Sequence, residues 1–256
     1  MDQQLLHLCL DYTRFNAART MSTARPSEFT TIAKGEALAL LDLARPQAAL
    51  FNRVLGFQES TIDQLPGILE LYESSGASPQ FDVATEHLSP PVCEALMAAG
   101  FRPVEGLAYL IARNCVAQPS GLPVEVWPHD QADRFLELLK TSGVQCDPEV
   151  WEVRREFYCT DTFRAYVAIL DGQPRAWGTL YVSPHGGYLA NAFTQPEFRG
   201  RGCQTALLAA RVADAAELGL DFLATDIVPE TISHRNIRRA GFEIATLHTH
   251  WQRAAE

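Results

Sequence analysis

Six cysteines (Cys9, Cys93, Cys115, Cys146, Cys159 and Cys203) are scattered along the 256-residue chain without a single Cys-x-x-Cys pair. That scatter argues against a zinc site and against a disulfide framework. Basic residues are in deficit: 21 Lys+Arg against 31 Asp+Glu leave a formal net charge of −10. Such a balance disfavours nucleic acid as a partner and favours cationic substrates. No apolar run approaches the roughly 20 residues needed to span a bilayer, and the start, Met1-Asp2-Gln3-Gln4, lacks the basic stretch of a leader. The expected place is the cytoplasm, with no membrane partner. Neither a Walker lysine nor a second Rossmann glycine pattern is present, which disfavours a nucleotide- or phosphate-binding reading of the chain.

What the chain does have is Phe198-Arg199-Gly200-Arg201-Gly202-Cys203-Gln204-Thr205. Upstream, Gly187 to Thr194 has the aromatic and small apolar content of a buried strand, closed by Pro196. Downstream, Thr205 to Leu218 carries apolar residues at helical spacing and stops at Gly219. A strand thus meets a long helix through a doubly basic glycine turn. Gly200 and Gly202 let backbone N–H groups at a helix start approach an anion, with Arg199 and Arg201 adding charge. Alone, such a turn is as often an ordinary tight connection.

The flanks decide between the two. From Thr194 to Phe242 the chain resembles the GNAT superfamily of N-acetyltransferases, whose loop reads Arg/Gln-x-x-Gly-x-Gly/Ala. Here that loop is Arg199-Gly200-Arg201-Gly202-Cys203-Gln204, with Gln204 in place of the usual small residue. The second half of the signature is Asn236-Ile237-Arg238-Arg239-Ala240-Gly241-Phe242. The resemblance implies acetyl-CoA as co-substrate and no metal. The loop from Arg199 to Thr205 would hold the pyrophosphate. Ala192, Phe193 and Thr194 would offer backbone groups to the pantetheine arm where the sheet splays open. Asn236 would also contact that arm, with Ser233 and Arg239 within reach.

The length exceeds one minimal domain of this kind. An echo runs through the chain at a constant offset of 141 positions, most plainly Ala99-Gly100-Phe101 against Ala240-Gly241-Phe242, and also Phe57 against Phe198 and Phe81 against Phe222. We therefore expect an α/β (α+β) protein of two GNAT-like domains, each a mixed, mostly antiparallel central sheet flanked by helices. An N-terminal extension (1–34) precedes a degenerate copy (35–116). A linker within Asn114 to Pro123 leads to the acyl-CoA-binding copy (123–256). Opposite the glycine loop, the first copy has Gln58-Glu59-Ser60-Thr61-Ile62-Asp63, acidic and without glycine, which would repel a pyrophosphate. That copy is expected to roof part of the acceptor cleft or to support a homodimer.

Catalysis is less legible. The family often places a glutamate on its fourth strand, yet Tyr188 to Thr194 contains no acid; the tyrosine that commonly protonates the leaving thiolate is replaced by Ile237. Asp226 and Tyr188 are the candidate catalytic residues, with His185 and Glu156 as further possible bases. A weakly basic acceptor would need no strong base. Cys203, between a helix start and two arginines, invites a reading as a reactive thiol, though the slot tolerates many residues. His248 and His250 fit simple alternation on a final strand better than a metal site. The function expected is acetyl transfer to the primary amine of a small molecule or peptide. The alternative is an acyl-CoA-binding sensor or interaction module without turnover.

Overall fold

A computed structural model describes residues 2–114 and 121–253; the central part of the expected linker, and Cys115 with it, lies outside them. Helix α1 (Gln3–Arg19) opens the chain, its N-terminus capped by Asp2, which accepts from the Gln4 N–H at 2.8 Å. There follow β1 (Phe29–Lys34), β2 (Ala37–Asp42), β3 (Arg53–Leu55), α2 (Leu65–Ser74), β4 (Gln80–Ala84), α3 (Pro90–Ala98) and β5 (Phe101–Arg113). The second half runs β6 (Val124–Trp127), α4 (Ala132–Lys140), α5 (Pro148–Arg154), β7 (Phe163–Leu170), β8 (Gln173–Ser183), β9 (Gly186–Thr194), α6 (Cys203–Glu217), β10 (Phe222–Ile227), α7 (Ile232–Arg239) and β11 (Glu243–Arg253).

The echo of 141 positions reappears as geometry. Helix α3 and helix α7 both end on an alanine at φ −80°, ψ 4°, and each is followed by a left-handed glycine: Gly100 at φ +87°, Gly241 at φ +93°. Only glycine adopts that turn without strain. Each turn then buries its phenylalanine, Phe101 and Phe242, and starts a long strand. The order helix, strand, helix, strand is therefore shared by α2–β4–α3–β5 and α6–β10–α7–β11.

The two central sheets are fused into one of eleven strands, in the order β1-β2-β3-β4-β11-β5-β10-β9-β8-β7-β6. The last strand of each half has crossed into the other. β11 pairs antiparallel with β4, β5 pairs antiparallel with β10, and the two exchanged strands pair antiparallel with each other. Packing follows the exchange: Trp251 of β11 lies in the core of the first half with Phe57, Phe81 and Phe101, while Ala108, Leu110 and Ala112 of β5 lie under α6 and α7.

The segment before residue 35 is more than a polar lead-in. Its end pairs with β2 as β1, and α1 lies across β8 and β9 of the second half, burying Leu5, Leu8, Cys9 and Ala17. These share a core with Trp127, Phe135, Trp151 and Phe163. Fully burying Leu5 and Leu8 contributes on the order of 2 kcal/mol each. The far half of the chain thus depends on the first helix for its cover.

Candidate active site

Strand β9 is the axis of the site. It enters beside β10 at two glycines, where the parallel pairing consists of Leu223 with Gly187 and Ala224 with Tyr188. Side chains are excluded there: a Cβ on Gly186 would sit 2.5 Å from the Phe222 carbonyl oxygen, and one on Gly187 2.7 Å from the Leu223 side chain. Beyond Tyr188 the two strands part. The Thr225 hydroxyl donates to the Leu189 carbonyl at 2.9 Å, and no further β9–β10 pair forms. On its other side β9 carries a bulge against β8 between Leu189 and Ala192, which bends the strand away from β10.

The gap is a cavity of about 300 Å³ that runs between the layers. Asn191, Ala192, Gln204, Asn236 and Ile237 line it from the α6–α7 side, and Tyr12 of α1 closes it on the opposite face. A second cavity of about 590 Å³ adjoins it along the glycine turn. Ten of the eleven expected cofactor contacts line this second cavity: Ala192, Phe193, Thr194, Arg199, Gly200, Gly202, Cys203, Gln204, Thr205 and Asn236. Gly200 (φ +75°) and Gly202 (φ +85°) are both left-handed, and Gly202 is the N-cap of α6 without a side-chain cap. The first N–H groups of a 15-residue helix therefore face this groove with its dipole behind them. The arrangement fits an anionic diphosphate.

Three details qualify the expected arrangement. Arg201 does not line the groove; its guanidinium pairs with Asp171 in the β7–β8 turn at 3.0 Å. Gln204 donates to Thr194 Oγ1 at 2.9 Å, so its amide ties the helix start to the end of β9. Cys203 is buried and its thiol is pushed up from the ordinary value, burial outweighing the helix start and Arg201. The reactive-thiol reading fails on that point.

Asp226 and Tyr188 meet across the mouth of the splay, with Tyr188 Oη donating to Asp226 Oδ1 at 2.5 Å. Asp226 is exposed and lines the gap; Tyr188 is buried under Tyr12, ring centroids 4.5 Å apart. Burial, then the Asp226 charge, holds the Tyr188 hydroxyl well above the usual tyrosine range, so it stays a donor. His185 lies elsewhere, beside His7 and Asp11, and neither it nor Glu156 lines the gap. His248 and His250 are buried against Asp82, His248 Nδ1 at 2.6 Å. Among the described residues no group of three His, Cys, Asp or Glu could hold a metal ion.

A third cavity, of about 300 Å³, lies on the α1–α4 side of β9 and meets the others at Asn191, Ala192 and Phe193. Its wall includes Arg19 and Met21. The roof over the site therefore comes from the N-terminal segment, and residues 35–116 line none of the three cavities. Tyr12 and Arg19 carry no motif. The only sign of them in sequence is the apolar face Leu5, Leu8, Cys9 on a helix that has to cover something. The first half, for its part, cannot repeat the phosphate groove: Gln58 and Ser60 both donate to the Glu36 carboxylate, at 2.7 and 2.6 Å.

Comparison with known proteins agrees with this geometry. Residues 132–242 match the model of the acetyltransferase (GNAT) family. No curated protein matches the chain. Among solved structures, a GCN5-related N-acetyltransferase from Kribbella flavida superposes with a TM-score of 0.67 at 15% identity, covering 100% of this chain and 97% of that one. A GCN5-related N-acetyltransferase from Sphaerobacter thermophilus gives 0.63 at 14% identity over 88% and 84% of the two chains. A tandem GNAT protein from the clavulanic acid biosynthesis pathway gives 0.57 at 14% identity over 100% and 97%. No helix among the described residues is long and apolar enough to cross a membrane. The splayed β9–β10 pair and the glycine-capped α6 both lie within residues 132–242, the segment that matches the acetyltransferase (GNAT) family model, and the whole chain shares its fold with a tandem GNAT protein.

Proposed function

We propose that the protein transfers an acetyl group from acetyl-CoA to a primary amine. One observation carries the reading: the gap between β9 and β10 joins the glycine-turn groove on one face to a separate cavity on the other. A thioester arm entering past α6 and an amine entering past α1 would meet at Ala192. The backbone of Gly200 to Thr205 would hold the diphosphate, and the unpaired edge of β9 at Ala192 to Thr194 the arm, with Asn236 beside it. The thioester supplies the activated acetyl group.

The protein's part is to deprotonate, orient and shield. An alkyl ammonium with a pKa near 10.4 pays about 4–5 kcal/mol to lose its proton at pH 7. Asp226 is the accessible carboxylate at the meeting point, and the Tyr188 hydroxyl on Oδ1 leaves Oδ2 free to take that proton. Nitrogen then attacks the carbonyl carbon, the C–N bond forms, the nitrogen gives up its surplus proton to solvent, and the C–S bond breaks with its electrons on sulfur. Ile237 cannot protonate the thiolate. Tyr12 lines the same gap, and its oxygen accepts from Arg19 Nη2 at 3.4 Å, so its own proton is free to go to sulfur.

The test is a calorimetric titration with acetyl-CoA of the protein and of Gly202→Asp, followed by thiol release with added amines. Micromolar binding that weakens at least 100-fold in the variant is expected, because a carboxylate would face the diphosphate at a left-handed position. Absence of binding would overturn the reading. Binding without amine-dependent thiol release would instead favour an acyl-CoA sensor, the reading that Ile237 supports.

A further inference from the structure

The cavity on the α1 side of β9 is chemically one-sided. Its walls are largely apolar and aromatic, with Phe135, Tyr158, Phe163 and Trp177 among them, and no acidic residue lines it. Two residues of its lining carry a buried donor without a partner: Arg19 at Nε and Trp177 at Nε1. Both residues are more than nine-tenths buried, 8% and 6% exposed.

Arg19 is surrounded by neutral groups. Nη1 donates to Tyr158 Oη at 3.0 Å, Nη2 to Tyr12 Oη at 3.4 Å, and the guanidinium stands 4.5 Å from the Phe163 ring centroid. Among the described residues no carboxylate pairs with it. These contacts fix the orientation of the guanidinium and leave its charge uncompensated; the C-terminus of α1 offers only a partial negative charge. An arginine does not shed its proton to escape burial. A buried, unpaired cation beside a second unpaired donor calls for an anion, and the fork of N–H groups on a guanidinium suits a carboxylate.

We propose that the acceptor is an amine that also carries a carboxylate, seated on Arg19 and the Trp177 indole N–H with an apolar body among the aromatic rings. The proposal rests on the transferase reading above and adds the substrate class. A molecule anchored at Arg19 presents its amine toward Asn191 and Ala192, the residues shared with the splay. Net charge of −10 favours cations at long range, but the cavity selects by contact, and an amino acid of apolar side chain satisfies both of its ends.

The experiment compares phenylalanine, tryptophan, leucine and methionine, each beside its decarboxylated amine and its carboxamide, as acceptors and as calorimetric ligands without acetyl-CoA. The expected result is a kcat/KM at least 30-fold higher for a carboxylate-bearing member than for its amine, with the difference in KM. That ratio should collapse in Arg19→Gln and partly return in Arg19→Lys, and Trp177→Phe should lower it less. A variant that merely unfolds would lose all acceptors together and would show it in its thermal melt; Trp177→Phe, which preserves the ring packing, then decides. Saturable carboxylate binding lost in Arg19→Gln, with no turnover of anything, would uphold the anion site while removing the transferase reading. Turnover of decarboxylated amines without carboxylate preference, or no carboxylate binding at all, would overturn the proposal.

Discussion

At the scale of single residues, burial separates the groups of the candidate site: the residues proposed to react are open and those proposed to hold them are sealed. Asp226 is open to the splay and Tyr188 is sealed behind it, so the two changes differ in effect. Asp226→Asn should lower kcat roughly 100-fold or more at neutral pH, the usual contribution of a general base; steady-state kinetics with a saturating amine measures it. Tyr188→Phe removes only the hydrogen bond that orients Oδ1 and should cost less. Cys203 is the contrary case. Its thiol is held up by burial, so Cys203→Ala should retain turnover, and iodoacetamide at pH 7 should label this cysteine in the native protein far more slowly than in urea. In sequence, a helix start just after two arginines reads as activating for Cys203, and the burial of the sulfur supplies the physical reason against it.

Among the elements, those that hold the cofactor groove were legible and those that roof it were not. Gly200 and Gly202 announce their turn, since no other residue takes φ near +80° at so little cost, and Gly219, Gly241 and Pro196 punctuate the elements around it. The two strands of the splay, β9 and β10, also fall where hydrophobic content places them. Helix α1 escaped because Tyr12 and Arg19 acquire meaning only from what lies beneath them, and its distance in sequence from β9 hides that. The splay carries its own prediction. Gly186 stands at φ +131° with the Phe222 carbonyl 2.5 Å from where a Cβ would go. Gly186→Ala should therefore destabilise the protein by roughly 3 kcal/mol and widen the gap at its hinge, read as a lower urea midpoint together with weaker acetyl-CoA binding.

For the whole molecule, two expectations follow from how the halves are joined. Burial raises the hydroxyls of Tyr12, Tyr72, Tyr109, Tyr166 and Tyr188 above the ordinary tyrosine value, and that of Tyr181 to about 12. The unfolded chain releases these protons near pH 10 while the folded one keeps them, so their contribution is complete below pH 10 and is lost above it. Each such group lowers stability by about 1.4 kcal/mol per pH unit in that window. Urea midpoints should accordingly hold level to about pH 9 and fall steeply between 10 and 12. The second expectation concerns fragments. Residues 121–256 alone would lack α1 and β5, hence the cover of Leu5 and Leu8 and the strand beside β10. Each half expressed alone should fail to bind acetyl-CoA, whereas the two co-expressed should copurify and bind; a competent isolated C-terminal half would contradict the exchanged arrangement. The exchange also sets a timetable for synthesis. Strand β11 follows the other ten strands in the chain, yet it belongs between β4 and β5, so neither half can finish its sheet until β11 has been made. A chain stopped anywhere before Glu243 would carry two unfinished sheets, and quality control would meet an all-or-nothing product rather than a usable first domain.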